Sequence, residues 1–207
     1  MKKFKHYILT RFNLGVYDID NAYADIVGDA EKWMQHRIDL FESTAFPSMM
    51  SQVNKNFTWL IAFDERTPKK VIQKYDYCNN IEVCYIQPHL YLRTLDPSHE
   101  WLITTRFDND DIFNPYFIDI IQAEFNEQVE VIDVEYSKVN FGKDEQFPSN
   151  RLRANSPFLS LVERWEKDPM TALGRPHTVM PDVYTSRKLD LILAHQVIHD
   201  RNVINKI

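Results

Sequence analysis

At 207 residues the chain can enclose one substantial core and is too short for two ordinary domains. Hydrophobic residues at 44%, with 13% aromatic, exclude a disordered chain, and a total of 4 glycines excludes a glycine-rich linker. A net charge of −6 without any lysine- or arginine-rich block leaves nucleic-acid binding without an electrostatic footprint. Cys78 and Cys84 match no zinc spacing and are too few for a disulfide framework, which points to a reducing compartment. The N-terminus lacks the apolar stretch of a signal peptide, and no run approaches the roughly 20 apolar residues of a membrane span. A soluble, cytoplasmic protein is the expectation.

Residues 4–12 read as a first strand, with Thr10 and Arg11 near its carboxyl end, where a nucleotide base or phosphate could be met. Arg11 could equally pair with one of the acids. Asp29 is placed to cap a helix burying Trp33, Met34, Ile38 and Phe41, and Pro47 ends or kinks it. Arg37 and Glu42 read as parts of its solvated face. Residues 57–63 form a near-continuous apolar run, which suits a central strand covered on both sides. Asp64 and Glu65 follow at once, and Thr67 and Pro68 then start a helix with Val71, Ile72, Tyr75 and Cys78 inward.

Residues 81–86 give a third strand and residues 87–99 a loop. Residues 101–107 form a fourth strand that ends in Asp108, Asn109, Asp110 and Asp111. In extended backbone, side chains two apart point the same way, so Asp108 and Asp110 would share one side and Asn109 and Asp111 the other. Two hard oxygen donors at that end of a buried strand can share a divalent cation. For an isolated Asp-x-Asp the alternative is a solvated acidic turn; its position after a buried strand favours the ligand site. Asn114 and Pro115 begin another helix, with Phe117, Ile121 and Phe125 inward.

Beyond residue 128 the pattern changes. Residues 129–139 read as a half-exposed strand, antiparallel or at an edge, and residues 141–155 as a polar loop with Arg151 and Arg153. Ser156 and Pro157 predict a helix carrying Phe158, Leu161, Val162, Glu163 and Trp165. Residues 167–184 read as loop with a short strand near 177–180. A last helix from Ser186 would align Leu189, Ile192, Leu193, Gln196 and Val197 on one face. The whole is an α/β chain with a mostly parallel central sheet and a smaller antiparallel, loop-rich C-terminal part. It forms a single domain: residues 1–127 a nucleotide-binding half, residues 128–207 an acceptor-side half with a C-terminal helix.

A site of two carboxylates holds a magnesium- or manganese-type ion best together with phosphate oxygens, so a nucleoside diphosphate is the expected ligand. No P-loop, dinucleotide fingerprint or Gly-x-Ser-x-Gly elbow is present. Several segments carry a resemblance: Leu9-Thr-Arg-Phe12, Arg37-x-x-Leu-Phe-Glu42, Phe57-x-Trp-Leu with Asp64-x-x-Thr-Pro68, and above all Thr104-Thr-Arg-Phe-Asp-Asn-Asp-Asp111. With Pro157-Phe-Leu-Ser-Leu-Val-Glu163 and Gln196-Val-Ile-His-x-x-Asn202, they make the chain resemble the "putative rhamnosyltransferase" family. That family is similar to nucleotide-sugar glycosyltransferases of the GT-A fold, a single αβα sandwich.

The resemblance implies a glycosyltransferase, a hexosyltransferase moving a sugar, rhamnose by the family's name, from a nucleoside-diphosphate donor to a saccharide or other hydroxyl acceptor. It implies Mn2+ or Mg2+ on Asp108 and Asp110 with a late histidine, His199 first and His177 second. The family pattern has tryptophan where Ala194 stands and glycine where Asp200 stands. Thr10, Arg11 and Asp64 would lie near the nucleotide, and Arg106 and Arg201 near the departing diphosphate. Glu163 and Asp111, then Asp182, are candidates for the base. Two competing readings are a metal-dependent phosphodiester or diphosphate hydrolase and a non-catalytic carbohydrate-binding domain.

Overall fold

The computed structural model describes residues 3–18, 29–142, 146–148 and 156–199; Arg151, Arg153, Asp200, Arg201 and Asn202 lie outside them. Four parallel strands carry the N-terminal half: β1 (Phe4–Arg11), β2 (Thr58–Ala62), β3 (Ile81–Cys84) and β4 (Trp101–Arg106), in the order β3-β2-β1-β4. Between them run α1 (Ala30–Ser43), α2 (Ala45–Met50), α3 (Lys69–Ile72) and α4 (Pro88–Leu92). After β4 come β5 (Ile112–Phe113), α5 (Phe117–Ala123), β6 (Glu130–Asn140), β7 (Gln146–Pro148), β8 (Ser160–Arg164), α6 (Met180–Val183) and β9 (Ser186–Ile198). The sheet continues past β4 as β8-β6-β9-β5, with β7 on β6, through both antiparallel and parallel pairs.

Period-two alternation divides the core. Phe4, Ile8 and Phe12 join Trp59, Ile61 and Phe63 and Trp101, Ile103 and Phe107 on one face, under α1, α2 and α5. Tyr7 and Leu9 face the other way with Leu60, Ala62, Leu92 and Leu102. Strands buried on both sides therefore read as unbroken apolar runs. Asp29 caps α1 as expected, its Oδ1 accepting from the amides of Glu31 and Lys32 at 3.1 and 3.2 Å. Pro47 falls inside α2, a separate short helix, since α1 has already ended at Ser43. Among the described residues no helix is long and apolar enough to cross a membrane.

The C-terminal third differs from the sequence expectation. The segment carrying Glu163 is β8, not a helix: Ser160, Leu161, Val162 and Glu163 are all buried between β4 and β6. A strand covered on both faces shows no alternation, and its apolar run cannot be told from a buried helix. The expected C-terminal helix is β9, the longest strand described. Its register with β6 shifts at Val134/Glu135 and Glu135/Tyr136, and residues inserted there leave Leu191 and Ile192 exposed. That bulge breaks the period of two, so that Leu193, Ala194, Val197 and Ile198 are buried in the paired spacing of a helix face. β6 is interior rather than at an edge, flanked by β8 and β9. Within the 87–99 loop sits α4, and residues 177–180 lead into α6 instead of forming a strand.

Candidate functional site

From β1 the chain adds β2 and β3 on one side and then β4 on the other. Strand order reverses between β1 and β4, and open α/β sheets bind their ligands outside the carboxyl ends of the strands at such a point. The Arg106–Asp111 segment follows β4 at that end of the sheet. β4 stops at Arg106 and residues 109–110 turn, so the strict alternation expected for the acids does not hold. Asn109 and Asp110, which alternation would place on opposite sides, both receive the same guanidinium nitrogen. Arg37 Nη1 donates to Asp110 Oδ2 at 2.6 Å and to Asn109 Oδ1 at 3.3 Å. Asn109 is held in turn by donating Nδ2 to the carbonyl of Phe12 at 2.8 Å.

His199 completes this group. Its Nε2 donates to the same Asp110 Oδ2 at 3.0 Å. The reason is topological: β5 pairs with β9, with Ile112 opposite His195, so the end of β9 runs back alongside the acids. Burial opposes the charge on Asp110, yet the bonds from His199 and the Arg37 guanidinium outweigh it and hold its pKa below the ordinary value. Asp111 goes the other way. Buried beneath β9, it accepts the amide of Val197 at 2.9 Å through Oδ1. Desolvation and the neighbouring Asp110 and Asp108 charges push its pKa well above the usual carboxylate range.

Asp108 is the more open of the pair, its side chain 38% exposed. Arg106 Nη2 donates to its Oδ2 at 3.2 Å, while Arg106 Nη1 lies 3.2 Å from His177 Nδ1. The two candidate histidines thus flank the motif, His199 on Asp110 and His177 on Arg106. Glu163 is turned inward: its two oxygens accept the amides of Met170 and Thr171 at 2.9 and 2.8 Å, and Thr104 Oγ1 accepts that of Ala172 at 2.8 Å. Burial outweighs those backbone bonds and raises the pKa of Glu163. With both oxygens engaged, it clamps the loop after β8. Asp182 is exposed on α6.

Thr10 and Arg11 part company because they are adjacent in a strand. Thr10 is fully buried, donating to the carbonyl of Phe107 and accepting from Trp59 Nε1, both at 2.8 Å, so its side chain has no opening to a nucleotide. Arg11 is exposed at the rim. Asp64, at the end of β2, accepts from Arg66 Nε and Nη2, both at 2.8 Å, and from the amide of Gly15 at 3.3 Å. The Arg66 hydrogen bond, foremost, keeps its carboxyl below the usual range. Asn13 Oδ1 accepts the amide of Asp64 at 3.0 Å, which docks the loop after β1 onto β2.

Sequence reading missed Arg37, assigned to the solvated face of α1; its side chain is only 14% exposed. The available signal was spacing: Trp33, Arg37 and Phe41 stand at i, i+4 and i+8, so Arg37 occupies the inward row. Asn109 and Arg66 were likewise overlooked, for their partners are remote or lie in a loop. Among the described residues no group of three or more His, Cys, Asp or Glu side chains forms a ready metal cage. Yet Asp110 and His199 place a carboxylate oxygen and an imidazole nitrogen 3.0 Å apart near a half-open Asp108, donors that would suit a divalent cation of the manganese type once the Nε2 proton moves to the other ring nitrogen.

Residues 8–144 match the family described as "Putative rhamnosyl transferase", and the chain belongs to that family. No curated protein matches it. Its fold is similar to that of S. aureus TarS: against TarS 1–349 the TM-score is 0.55 at 12% identity, covering 93% of this chain and 60% of that one. Against a longer TarS structure the TM-score is 0.50 at 13% identity, covering 95% and 37%. The chain thus spans less than two thirds of either. A "putative nucleotide-diphospho-sugar transferase" from Desulfovibrio desulfuricans G20 also matches, with a TM-score of 0.42 at 8% identity over 97% of this chain and 83% of that one.

Proposed function

We propose that this family member is a glycosyltransferase that takes its sugar from a nucleoside diphosphate and uses a manganese or magnesium ion held by Asp108, Asp110 and His199. The observation that carries the reading is the meeting of Asp110 with His199, 89 positions apart, beyond the carboxyl end of β4, where the strand order reverses. A sugar nucleotide is the ligand class that combines carboxylates, an ion and diphosphate oxygens in one cleft. When bound, the ion supplies charge neutralisation to the departing diphosphate.

The chain's own residues then have distinct tasks. Arg106, fixed between Asp108 and His177, and Arg11 at the rim offer positive charge on the same side of the sheet, where the diphosphate gains charge as the sugar leaves. Asp64 and the loop it holds border the nucleoside side. Glu163 and Asp111 act as positioning residues, the first for the loop after β8 and the second for the end of β9 that bears His199. The acceptor is a saccharide or other hydroxyl compound, and the family's description makes rhamnose the first donor sugar to test.

The test is a thermal-shift screen of UDP, GDP and dTDP, each with and without Mn2+, followed by the matching sugar nucleotides. Stabilisation should need ion and diphosphate together, reaching about 2.7 kcal/mol at 100 times Kd. It should vanish in Asp110→Asn, and the cognate sugar nucleotide should be slowly hydrolysed without acceptor. A wild-type chain that no diphosphate stabilises, with or without the ion, overturns the reading.

A further inference from the structure

Asp110 already carries a cation. Arg37 reaches it from α1, and both side chains are only 14% exposed, so little water screens the pair. The guanidinium is held from behind over the ring of Trp33, 5.4 Å from its centroid, and from the side by Asn109 Oδ1 at 3.3 Å. It does not share the carboxylate evenly: Arg37 Nη1 and His199 Nε2 both use Oδ2. That oxygen is bonded by both the guanidinium and the imidazole, so an ion taking it as a ligand would compete with Arg37 for it.

We propose that Arg37 is a built-in counter-ion that makes this centre select a metal–diphosphate complex over the free metal ion. The inference rests on the reading of Asp110 and His199 as ligands. A fixed positive charge within hydrogen-bonding distance of a ligand oxygen repels an incoming divalent cation, and at low exposure that repulsion is poorly screened. A bare ion must therefore displace Arg37 from Oδ2 without compensation. A nucleoside diphosphate brings the negative charge that both the ion and the freed guanidinium can use, so ion and diphosphate bind together more readily than either alone. The ideas of a counter-ion and of a mere orienting group give opposite signs. An orienting group would strengthen metal binding; a counter-ion weakens it.

Mn2+ binding is read by electron paramagnetic resonance of the free ion, in wild type, Arg37→Gln and Arg37→Lys, with and without the nucleoside diphosphate that stabilises the wild type. Arg37→Gln should bind Mn2+ alone at least about tenfold more tightly than wild type, the scale expected on removing one charge-assisted partner. The enhancement of Mn2+ binding by diphosphate should shrink in this variant, and by linkage the enhancement of diphosphate binding by Mn2+ should shrink equally. Arg37→Lys, which keeps the charge, should stay near wild type. In the wild-type chain, 15N resonances of the Arg37 guanidinium should shift when Mg2+ and the diphosphate are added together; this measurement stands even if a variant fails to fold. Equal or weaker Mn2+ binding by a folded Arg37→Gln, or unmoved Arg37 resonances while diphosphate and ion do bind, sinks the inference and leaves the proposed function standing. A wild type that binds neither removes both.

Discussion

Replacing Thr104 by valine tests how the loop after β8 is held against the sheet. Thr104 lies in β4, fully buried, and its Oγ1 accepts the amide of Ala172 at 2.8 Å. Valine fills nearly the same volume but leaves that amide without an acceptor in the interior. An orphaned buried donor costs about 1–3 kcal/mol, and burying a methyl in place of a hydroxyl recovers up to about 0.8 kcal/mol. The net loss is centred on about 1 kcal/mol, which for a chain of this size lowers Tm by about 2–4 °C. Circular dichroism in heat and urea reads the change, with an unaltered m-value showing that the fold is otherwise kept. Hydrogen exchange should also quicken at Ala172 and its neighbours, which precede the His177 turn against Arg106. Stability within about 0.5 kcal/mol of wild type, the range of surface changes without such a mechanism, together with an equally protected Ala172 amide, would refute the argument.

Two further outcomes follow from buried polar groups. The pKa of Asp111 is raised well above 3.8 by burial and by its acidic neighbours, so folding favours its protonated form. Its contribution is fullest below pH 3.8 and is lost as pH rises through the raised value. Asp111→Asn keeps an acceptor for the Val197 amide and should reduce the loss of urea midpoint as pH rises above 3.8, leaving the variant at least as stable at neutral pH; profiles that run parallel would contradict it. Thr10→Val orphans the Trp59 indole N–H and should cost about 1–3 kcal/mol in urea unfolding. Because Thr10 is sealed in the core, the affinity of the folded variant for nucleoside diphosphate, measured by calorimetry, should be unchanged; a weakened affinity would mean that this hydroxyl meets the ligand after all.

The parallel half of the fold, and the place of the acids in it, can be read from the amino-acid order. The short apolar runs of β1, of β2 before Asp64 and of β4 before Asp108, Asp110 and Asp111, separated by the capped α1 and the shorter helices, specify strands whose carboxyl ends share an edge. Backbone periodicity and capping are local, so nearby residues suffice to read them. The rest depends on contacts between distant elements. Whether residues 186–198 form helix or strand turned on a bulge against β6, whose effect on spacing is visible only once the partner strand is known. Adjacent Thr10 and Arg11 were separated by the sheet's two faces, and Glu163 was drawn inward by amides that follow β8. The grouping of Arg37, Asp110 and His199 joins α1, the turn after β4 and the end of β9. Burial made their charges matter to one another, and burial is a property of packed elements, set by contacts far apart in the chain.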